Sequence, residues 1–398
     1  MPGPLDGVTI LDLTAMVSGP LATMLLADQG ADVIKVENPN GGDHTRQVAA
    51  GRGGFTASFL NNNRNKRSVA LDLKDPRGRD AVLRLAATAD VFVQNFRPGV
   101  ADRLGLGEAT VRKARPDIVY VSICGFGETG PYAGRPAYDP LIQALSGLAT
   151  VQAGSDEERP RLIRTILPDK LTGFAAAQAI AAALFARERT GEGQHVRLSM
   201  LDTVLSFLWG SDMGNQTFVE ERPTKQPPQS FIDLIYETSD GYISVAVQSD
   251  REWAALTRAL DRPEWLEDER FRTPALRQRN IDARLALTQE VLKTRSSGEW
   301  LRRFEAEDVP AAPVLRRSEV IGHPQVAANG SIVEFDHPQA GRLRQARPAA
   351  RFSSSPAELR IPAPRLGEHT REVLAAAGLE EAEIADLAAA GVANLGDD

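Results

Sequence analysis

Short apolar runs alternate with helical patterns along the first part of the chain. The runs are Val8–Leu13, Ala31–Glu37, Val69–Leu73, Val91–Val93 and Ile118–Ile123. Between them, apolar positions recur at helical spacing over Leu21–Asp28, Arg77–Ala89 and Glu108–Arg115. Alternation of strands and helices predicts a parallel sheet with helices on its faces. We therefore predict a doubly wound α/β domain over about the first 200 residues.

One long helical segment, Phe174–Arg189, is rich in alanine and apolar on most faces, so we expect it to be buried. The segment Leu167–Gly173 opens this helix and places one carboxylate, Asp169, at its start. Taken alone, this pattern favours Asp169 as a helix N-cap, because Asp is a preferred capping residue. The alternative is a nucleophile, since a carboxylate can attack a thioester and carry an acyl group.

The composition changes after Trp209. A polar, proline-rich stretch at Glu220–Gln229 predicts a linker, and the strand Tyr242–Val247 and three amphipathic helices follow it. We predict these domains: 1–215, a large α/β domain; 216–229, a linker; 230–320, a small α+β domain; 321–350, a linker; 351–398, C-terminal helices.

Charge and residue usage narrow the classes of function. The net charge of −7 argues against a general nucleic-acid binder, and no apolar stretch is long enough to span a membrane. The first residues do not resemble a signal peptide, and the single Cys124 is typical of a reducing compartment, so we expect a cytoplasmic protein. The histidines are not spaced as ligands of one metal, so we predict no metal site.

The carboxyl ends of the predicted parallel strands indicate where a ligand binds. The loop after the first strand, Thr14–Pro20, lacks the Gly-x-Gly-x-x-Gly pattern of dinucleotide-binding domains, which argues against an NAD enzyme. The other strand ends supply Lys74, Asn95–Phe96 and the glycine-rich Gly125–Pro131, with Arg103 nearby. These groups suit a long ligand with a phosphate, such as a nucleotide-bearing thioester; the alternative for Lys74 and Arg103 is a surface charge.

Several motifs in this order resemble the family III (class III) CoA-transferases, the family of formyl-CoA transferase and carnitine CoA-transferase. The resembling segments are LDGVTILDLT, GADVIKVE, NRNKRSVALDLK, VFVQNFRPG, GFGETGPYAGRPAYD, LPDKLTG, TGEGQHV and PRLGEHTREVL. The resemblance implies a Rossmann-like large domain that binds CoA, a small domain, C-terminal helices that return to the large domain, and an interlocked homodimer. It also implies that Asp169 is the nucleophile and that CoA contacts Met16, Val17, Lys74, Asn95, Phe96, Arg103 and Tyr138.

The reaction implied by the resemblance transfers CoA from an acyl-CoA thioester to a free carboxylic acid. It proceeds through an aspartyl anhydride and an aspartyl-CoA thioester on Asp169, with CoA thioesters as substrates and no permanently bound cofactor. Arg46, Arg64 and Arg135 are candidates to hold a second carboxylate, as in a dicarboxylate such as succinate. Surface charge is the alternative for all three, and we interpret most charges of Asn63–Arg67 as a solvated basic turn.

Two positions depart from formyl-CoA transferase. Val17 stands where that enzyme has a glutamine, and Arg222–Phe231 lacks the glycine run of its mobile loop. An α-methylacyl-CoA racemase remains an alternative, although a racemase of this fold has a histidine where Tyr138 stands before Asp139. A catalytically silent CoA-binding protein is a second alternative, against which the retained Asp169 argues.

Overall fold

A computed structural model of the chain describes residues 2–48, 50–154, 156–219 and 234–396. The chain divides into two compact units. The first comprises residues 1–152, 161–213 and 330–398, and the second comprises residues 153–160 and 214–329. The domain limits derived from the sequence stay predictions. The predicted loop segment Arg222–Phe231 lies outside the described residues.

The first unit is built on a seven-stranded sheet. Its strands are Thr9–Asp12 (β1), Asp32–Glu37 (β2), Lys66–Leu71 (β3), Val91–Gln94 (β4), Val119–Cys124 (β5), His195–Ser199 (β6) and Ala393–Asn394 (β7). They lie in the order β7-β3-β2-β1-β4-β5-β6, and all pairs are parallel except β7 with β3. The prediction of an α/β fold with a largely parallel sheet is confirmed.

The strand order fixes where the chain reverses its direction of winding. From β1 the chain proceeds outward through β2 to β3, and then returns to the other side of β1 to form β4, β5 and β6. This is the order of a doubly wound sheet, in which a crevice opens outside the carboxyl ends of the two central strands. Here those strands are β1 and β4, and the loops that follow them begin at Leu13 and Asn95.

Two apolar layers cover the sheet. On one face, Leu11, Phe92 and Tyr120 pack against the helices Pro76–Ala86 and Thr370–Ala376. On the other face, alternate residues of the same strands pack against the first helix, Ser18–Asp28, and the long helix, Leu167–Thr190. The remaining helices of four or more residues in the first unit are Ala57–Asn62, Val100–Arg103, Glu108–Ala114, Asp139–Leu145, Met200–Trp209 and Glu381–Ala389, and Leu148–Ala153 ends where this unit gives way to the second.

The long helix is less buried than its composition predicts. Its small residues, such as Ala176 and Ala183, are buried against the sheet. Phe174 and Phe185, however, are 55% and 65% exposed in the single chain. Apolarity on most faces therefore overestimates how much of the helix the chain itself covers.

The second unit has an aromatic core beneath a three-stranded antiparallel sheet, Ile235–Glu237, Tyr242–Val245 and Ala311–Pro313. Trp253, Trp300 and Phe304 are among the buried core residues. Its helices are Asp250–Ala259, Pro274–Arg279, Ile281–Leu292, Ser297–Ala306, Arg317–Val320 and Pro324–Ala328. The three amphipathic helices predicted from the sequence correspond to Asp250–Ala259, Ile281–Leu292 and Ser297–Ala306 within two residues at each end.

The first unit resumes at residue 330, inside a segment that the sequence predicts to be a linker. Residues 321–350, where the sequence predicts a linker, contain the helix Pro324–Ala328 and a hairpin of Ile332–His337 with Gly341–Ala346. Further on, the hydroxyl of Thr370 accepts a hydrogen bond from the Ala70 N–H at 3.0 Å. No helix in the described residues combines the length and hydrophobicity that crossing a membrane requires.

Candidate active site

Asp169 lies inside the long helix rather than before it. The helix begins at Leu167, so Asp169 is its third residue, and the capping position, Ile166, makes no side-chain capping bond. The interpretation of Asp169 as an N-cap is therefore wrong. Its carboxylate sits in the first helical turn, where the helix dipole favours a negative charge.

A glycine lets the long helix approach the first helix closely enough for Asp169 to meet Ser18. Gly173 follows Asp169 by four residues and so shares its face of the helix. A Cβ atom on Gly173 would lie 2.9 Å from Leu21 Cδ2 and 3.0 Å from Ser18 O, which a larger residue could not tolerate. Ser18 then lies beside the Asp169 carboxylate, and its N–H and hydroxyl lower the pKa of that group.

The environment of Asp169 disfavours its ionisation. Burial is the larger cause and the nearby Asp139 carboxylate is the second; together they raise the pKa of Asp169 to about 6, against the hydrogen bonds from Ser18. A carboxylate that gains a proton this easily is poorly solvated and more reactive than a surface aspartate at the same pH. At neutral pH it is still mostly ionised, as a nucleophile must be.

Asp139 holds the start of the long helix. Its Oδ2 accepts the backbone N–H of Asp169 at 3.2 Å, and its Oδ1 accepts Gln143 Nε2 at 2.7 Å. Gln143 is fixed in turn, because its Oε1 accepts the Ile163 N–H at 2.9 Å. Asp139 is buried and opens the helix Asp139–Leu145. It therefore satisfies one of the unpaired first-turn N–H groups of the neighbouring helix.

Side chains from other segments hydrogen-bond to the backbone of the loop between β1 and the first helix. Asn95 accepts the Ala15 N–H at 3.0 Å and donates to the Ala15 carbonyl at 2.8 Å. Lys35 donates to the Thr14 carbonyl at 2.8 Å, and Asp43 accepts the Met16 N–H at 3.2 Å. Asn95 follows β4, so its two bonds join the loop after β4 to the loop after β1. These are the two loops at the point where the sheet reverses its winding.

Beneath this loop lie fully buried charges. Asp12 accepts Lys66 Nζ at 3.0 Å and the hydroxyls of Thr14 and Thr23. Burial opposes the ionisation of Asp12, but Lys66 and Lys35 hold its pKa well below its usual range. Burial lowers the pKa of Lys66 to about 8, so Lys66 still carries its charge at neutral pH.

The interpretation of Asn63–Arg67 as a solvated basic turn is wrong for most of its charges. Lys66 is fully buried and Arg64 nearly so. The strand β3 begins at Lys66, three residues earlier than the apolar run Val69–Leu73 predicts, because Lys66 and Ser68 face a polar interior.

The residues predicted to contact CoA occupy one edge of the sheet but differ in exposure. Tyr138 and Met16 are 63% and 38% exposed, and Lys74 and Arg103 are exposed as well. Phe96 and Asn95 are partly buried, while Val17 is buried. Exposed members are open to a ligand, whereas Asn95 already uses its amide on the Ala15 backbone.

A cavity of about 330 Å³ opens beside the loop that follows β4. Phe96, Arg97 and Gly99 line it from the loop, and Tyr120 and His195 line it from the sheet. His195 Nε2 lies 2.8 Å from the Ser122 hydroxyl. Of the predicted CoA positions only Phe96 lines this cavity, and Asp169 does not, so the cavity is separate from Asp169.

The three arginines considered for a substrate carboxylate have different surroundings. Arg46 pairs with Glu37 at 2.7 Å, and Arg64 pairs with Asp28 at 2.8 Å, both with little solvent exposure. These two guanidinium groups neutralise carboxylates of the chain itself. Arg135 is exposed and lies over the Tyr132 ring, 3.9 Å from its centroid.

Sequence reasoning missed Ser18, Asp139 and Asp43 as members of this site. Asp139 carries a recognisable signal, because Asp followed by Pro140 is a common way to begin a helix. Ser18 directly precedes Gly19-Pro20 at the start of the first helix, which is a comparable signal. Asp43 lies between β2 and the helix Ala57–Asn62, and no local pattern predicts its contact with Met16.

Comparison with known proteins identifies the family to which the chain belongs. A family model described as CoA-transferase family III matches residues 5–370. The chain belongs to CoA-transferase family III. It is 35% identical over 378 residues to the succinyl-CoA:glutarate CoA-transferase of Homo sapiens, which covers 93% of this chain and 85% of the relative. It is 33% identical over 408 residues to a formyl-CoA:oxalate CoA-transferase of Streptomyces coelicolor, which covers 98% of each chain.

A solved structure extends the similarity to three dimensions. The crystal structure of a CaiB/BaiF family protein from Brucella suis matches with a TM-score of 0.81 at 33% identity, covering 95% of this chain and 100% of that chain. Membership of CoA-transferase family III makes this protein an enzyme that acts on CoA thioesters and carboxylic acids.

Proposed function

We propose that this family III CoA-transferase moves CoA between dicarboxylic acids and that Asp169 is its nucleophile. The observation that carries the proposal is the position of Asp169. It is a carboxylate in the first turn of a helix, beside Ser18 and with a pKa raised to about 6. Its backbone is fixed by Asp139, so the carboxylate is held in one place.

The reaction follows from this arrangement in two exchanges. An oxygen of Asp169 attacks the thioester carbonyl, the C–S bond breaks, and the products are an aspartyl anhydride and CoA thiolate. The thiolate attacks the aspartyl carbonyl of the anhydride, which releases the first acid and leaves an aspartyl-CoA thioester.

The second exchange is the reverse of the first with a new acid. Its carboxylate attacks the aspartyl-CoA thioester, and the returning thiolate takes the acyl group and frees Asp169. Each step consumes one carboxylate or thiolate and produces another, so no proton donor is required. The dipole of the long helix, whose first turn carries Asp169, favours the oxyanions that form there.

Dicarboxylates are the proposed acids for two reasons. The relatives from Homo sapiens and Streptomyces coelicolor are named for glutarate, succinate and oxalate, all of which carry a second carboxylate. In this chain, Arg135 is exposed on the segment that leads into Asp139, and so is suited to bind that group. Arg46 and Arg64 are engaged internally, so we assign them to the scaffold.

We also propose a homodimer, which the resemblance to the family implies. The uncovered face of the long helix carries Phe174 and Phe185, and the neighbouring helix Met200–Trp209 adds the exposed Phe207 and Trp209. Several large apolar side chains exposed on adjacent helices are typical of a protein–protein interface.

Intact-protein mass spectrometry tests the reaction. The wild type and Asp169→Asn are each mixed with succinyl-CoA, acetyl-CoA or a longer acyl-CoA, without an acceptor acid. We expect a covalent CoA adduct on the wild type only, discharged by glutarate or oxalate. Absence of an adduct with every donor, combined with deuterium uptake beside the thioester in heavy water, would favour a racemase. Discharge by monocarboxylic acids alone would contradict the dicarboxylate assignment.

A further inference from the structure

The backbone of Met16 adopts a conformation that is unfavourable for its residue type. Its φ angle is +70°, in the left-handed region that side chains other than those of Gly, Asn and Asp rarely occupy. Such a conformation costs about 1–3 kcal/mol and persists only where the surroundings impose it. Two residues later comes Ser18, where the first helix lies against Gly173 of the long helix and whose N–H and hydroxyl lower the pKa of Asp169.

A buried ion pair bonds to the backbone of this strained residue and of Thr14, two residues before it. Lys35, in the middle of β2, donates to Asp43 Oδ2 at 3.0 Å and to the Thr14 carbonyl at 2.8 Å. The other carboxylate oxygen, Oδ1, accepts the Met16 N–H at 3.2 Å and the Thr45 N–H at 2.9 Å. One fully buried lysine and one carboxylate thus connect the strand β2 to the backbone at Met16 and at Thr14, two residues earlier.

Asp43 is itself held in position. Its backbone N–H donates to Glu37 Oε2 at 2.9 Å, and Glu37 is bound by Arg46. Although burial alone would lower the pKa of Lys35, the carboxylates of Asp43, Asp12 and Glu37 raise it. Burial would raise the pKa of Asp43, but Lys35 and the Thr45 hydrogen bonds lower it, so the pair stays ionised.

We propose that the buried Lys35–Asp43 ion pair is a positioning device that imposes the left-handed conformation of Met16 and thereby keeps Ser18 on the Asp169 carboxylate. A buried ion pair contributes little to stability compared with an apolar replacement, so stability does not account for it. Its bonds end on the loop that leads to the nucleophile. The proposal rests on Asp169 as the nucleophile, and Lys35 and Asp43 themselves touch no reacting atom.

The first test separates positioning from stability. Asp43→Ala removes the acceptor for Met16 and the partner of Lys35, Asp43→Asn removes the ion pair but keeps an acceptor oxygen, and Lys35→Met removes the donor to Thr14. We expect kcat to fall by about 10²-fold in Asp43→Ala, because a shift of about 1 Å in a positioned group has that effect, with KM for the CoA thioester changed far less. Asp43→Asn is expected to lose less activity than Asp43→Ala.

Asp32→Asn is the matched control. Asp32 lies in the same strand as Lys35, and its carboxylate pairs with Arg67 in an exposed position at the opposite end of the strand. The same change of carboxylate to amide there is expected to leave kcat unchanged. Equal kcat values for Asp43→Ala and Asp32→Asn would overturn the proposal. A higher KM in Asp43→Ala with an unchanged kcat would overturn it as well.

A second substitution distinguishes positioning from general damage. Asn tolerates the left-handed region better than Met does, so Met16→Asn added to Asp43→Asn should restore part of the lost kcat. A general loss of folding would not be repaired by a change at Met16. A further decrease in the double variant would contradict the proposal.

Hydrogen–deuterium exchange tests the proposal independently of catalysis. We expect faster exchange of a peptide spanning residues 13–20 in Asp43→Asn and Lys35→Met, with the second unit unchanged. Unchanged exchange of that peptide would overturn the proposal, even where activity falls. If the wild type forms no CoA adduct, the proposed function fails, and the exchange data still decide whether the ion pair orders the loop.

Discussion

The carboxyl edge of the large sheet and the core of the second unit are built from opposite kinds of residue. At the edge, Asp12, Lys35 and Lys66 are completely buried and bond to one another or to the loop above them. In the second unit, stacked aromatic rings such as Trp300 and Phe304 fill the core. A surface pair such as Arg258–Glu307 is about half exposed there.

This difference separates stability from position. Aromatic burial stabilises a fold in any arrangement that excludes water, because the hydrophobic effect has no direction. A buried charge pair is costly to desolvate and returns that cost only in one geometry. The core of the second unit is therefore stabilised mainly by burial. At the edge of the sheet, buried charges instead position the backbone that leads to Asp169.

The largest expected effect on stability is at Lys66. Lys66→Met leaves Asp12 buried without its partner, and breaking such a pair costs about 3–5 kcal/mol of unfolding free energy. Arg258→Met removes a half-exposed pair and should cost at most about 1 kcal/mol. Denaturant unfolding monitored by circular dichroism compares the two variants with the wild type.

Two outcomes would contradict this difference between buried and surface ion pairs. Equal losses for Lys66→Met and Arg258→Met would show that the buried charges are no more structurally demanding than a surface pair. A variant of Lys66 that is more stable than the wild type would show that an apolar contact satisfies this site. If Lys66→Met does not fold, soluble yield alone still separates it from Arg258→Met.

The sequence predicts the sheet and the position of Asp169 because both depend on local patterns. Apolar runs bounded by polar loops mark β1 to β5 within a few residues, and the segment Leu167–Gly173 marks the helix start. Local patterns do not predict contacts that join distant segments of the chain. Asn63–Arg67 has the composition of a surface turn, and only the pairing of Arg64 with Asp28 and of Lys66 with Asp12 makes these residues part of the interior.

The same reasoning explains the candidate residues that changed role. Arg46 has the charge expected of a carboxylate-binding residue, but its guanidinium group already forms an ion pair with Glu37 of the same chain. Asn95 was predicted from its place at a strand end, and the place is correct in the fold. Its bonds to the Ala15 backbone depend on which loop lies opposite, which the sequence of either loop does not contain.

A smaller effect is expected when the charge of Asp169 is removed. Folding raises the pKa of Asp169 to about 6. Above that pH the ionised carboxylate therefore destabilises the folded state. Asp169→Asn should therefore raise the unfolding free energy by about 1–3 kcal/mol at pH 8. The gain should shrink as the pH falls through 6 and vanish below the unfolded-state pKa of about 4.

Thermal melting at pH 8 and pH 4 measures this gain. A melting temperature that rises equally at both pH values would attribute the gain to packing instead of charge. A gain confined to pH 8 would sharpen the contrast with the second unit, where the exposed Asp308→Asn should change little at either pH.

The smallest effect is expected at Asp139, which acts on Asp169 through its charge. Burial is the main cause of the raised pKa of Asp169, and the Asp139 carboxylate is the second. Asp139→Asn should therefore lower that pKa only in part, and the acid limb of the kcat/KM profile should move to lower pH by about one unit or less. The lost bond to Gln143 should lower the plateau rate as well. Asp32→Asn, which removes an exposed carboxylate of the same unit, should leave the profile in place. A profile that keeps its midpoint in Asp139→Asn while the plateau falls would assign Asp139 to holding the Asp169 N–H alone. A shift to higher pH would contradict the electrostatic role, because removing a neighbouring negative charge can only favour the ionised form of Asp169.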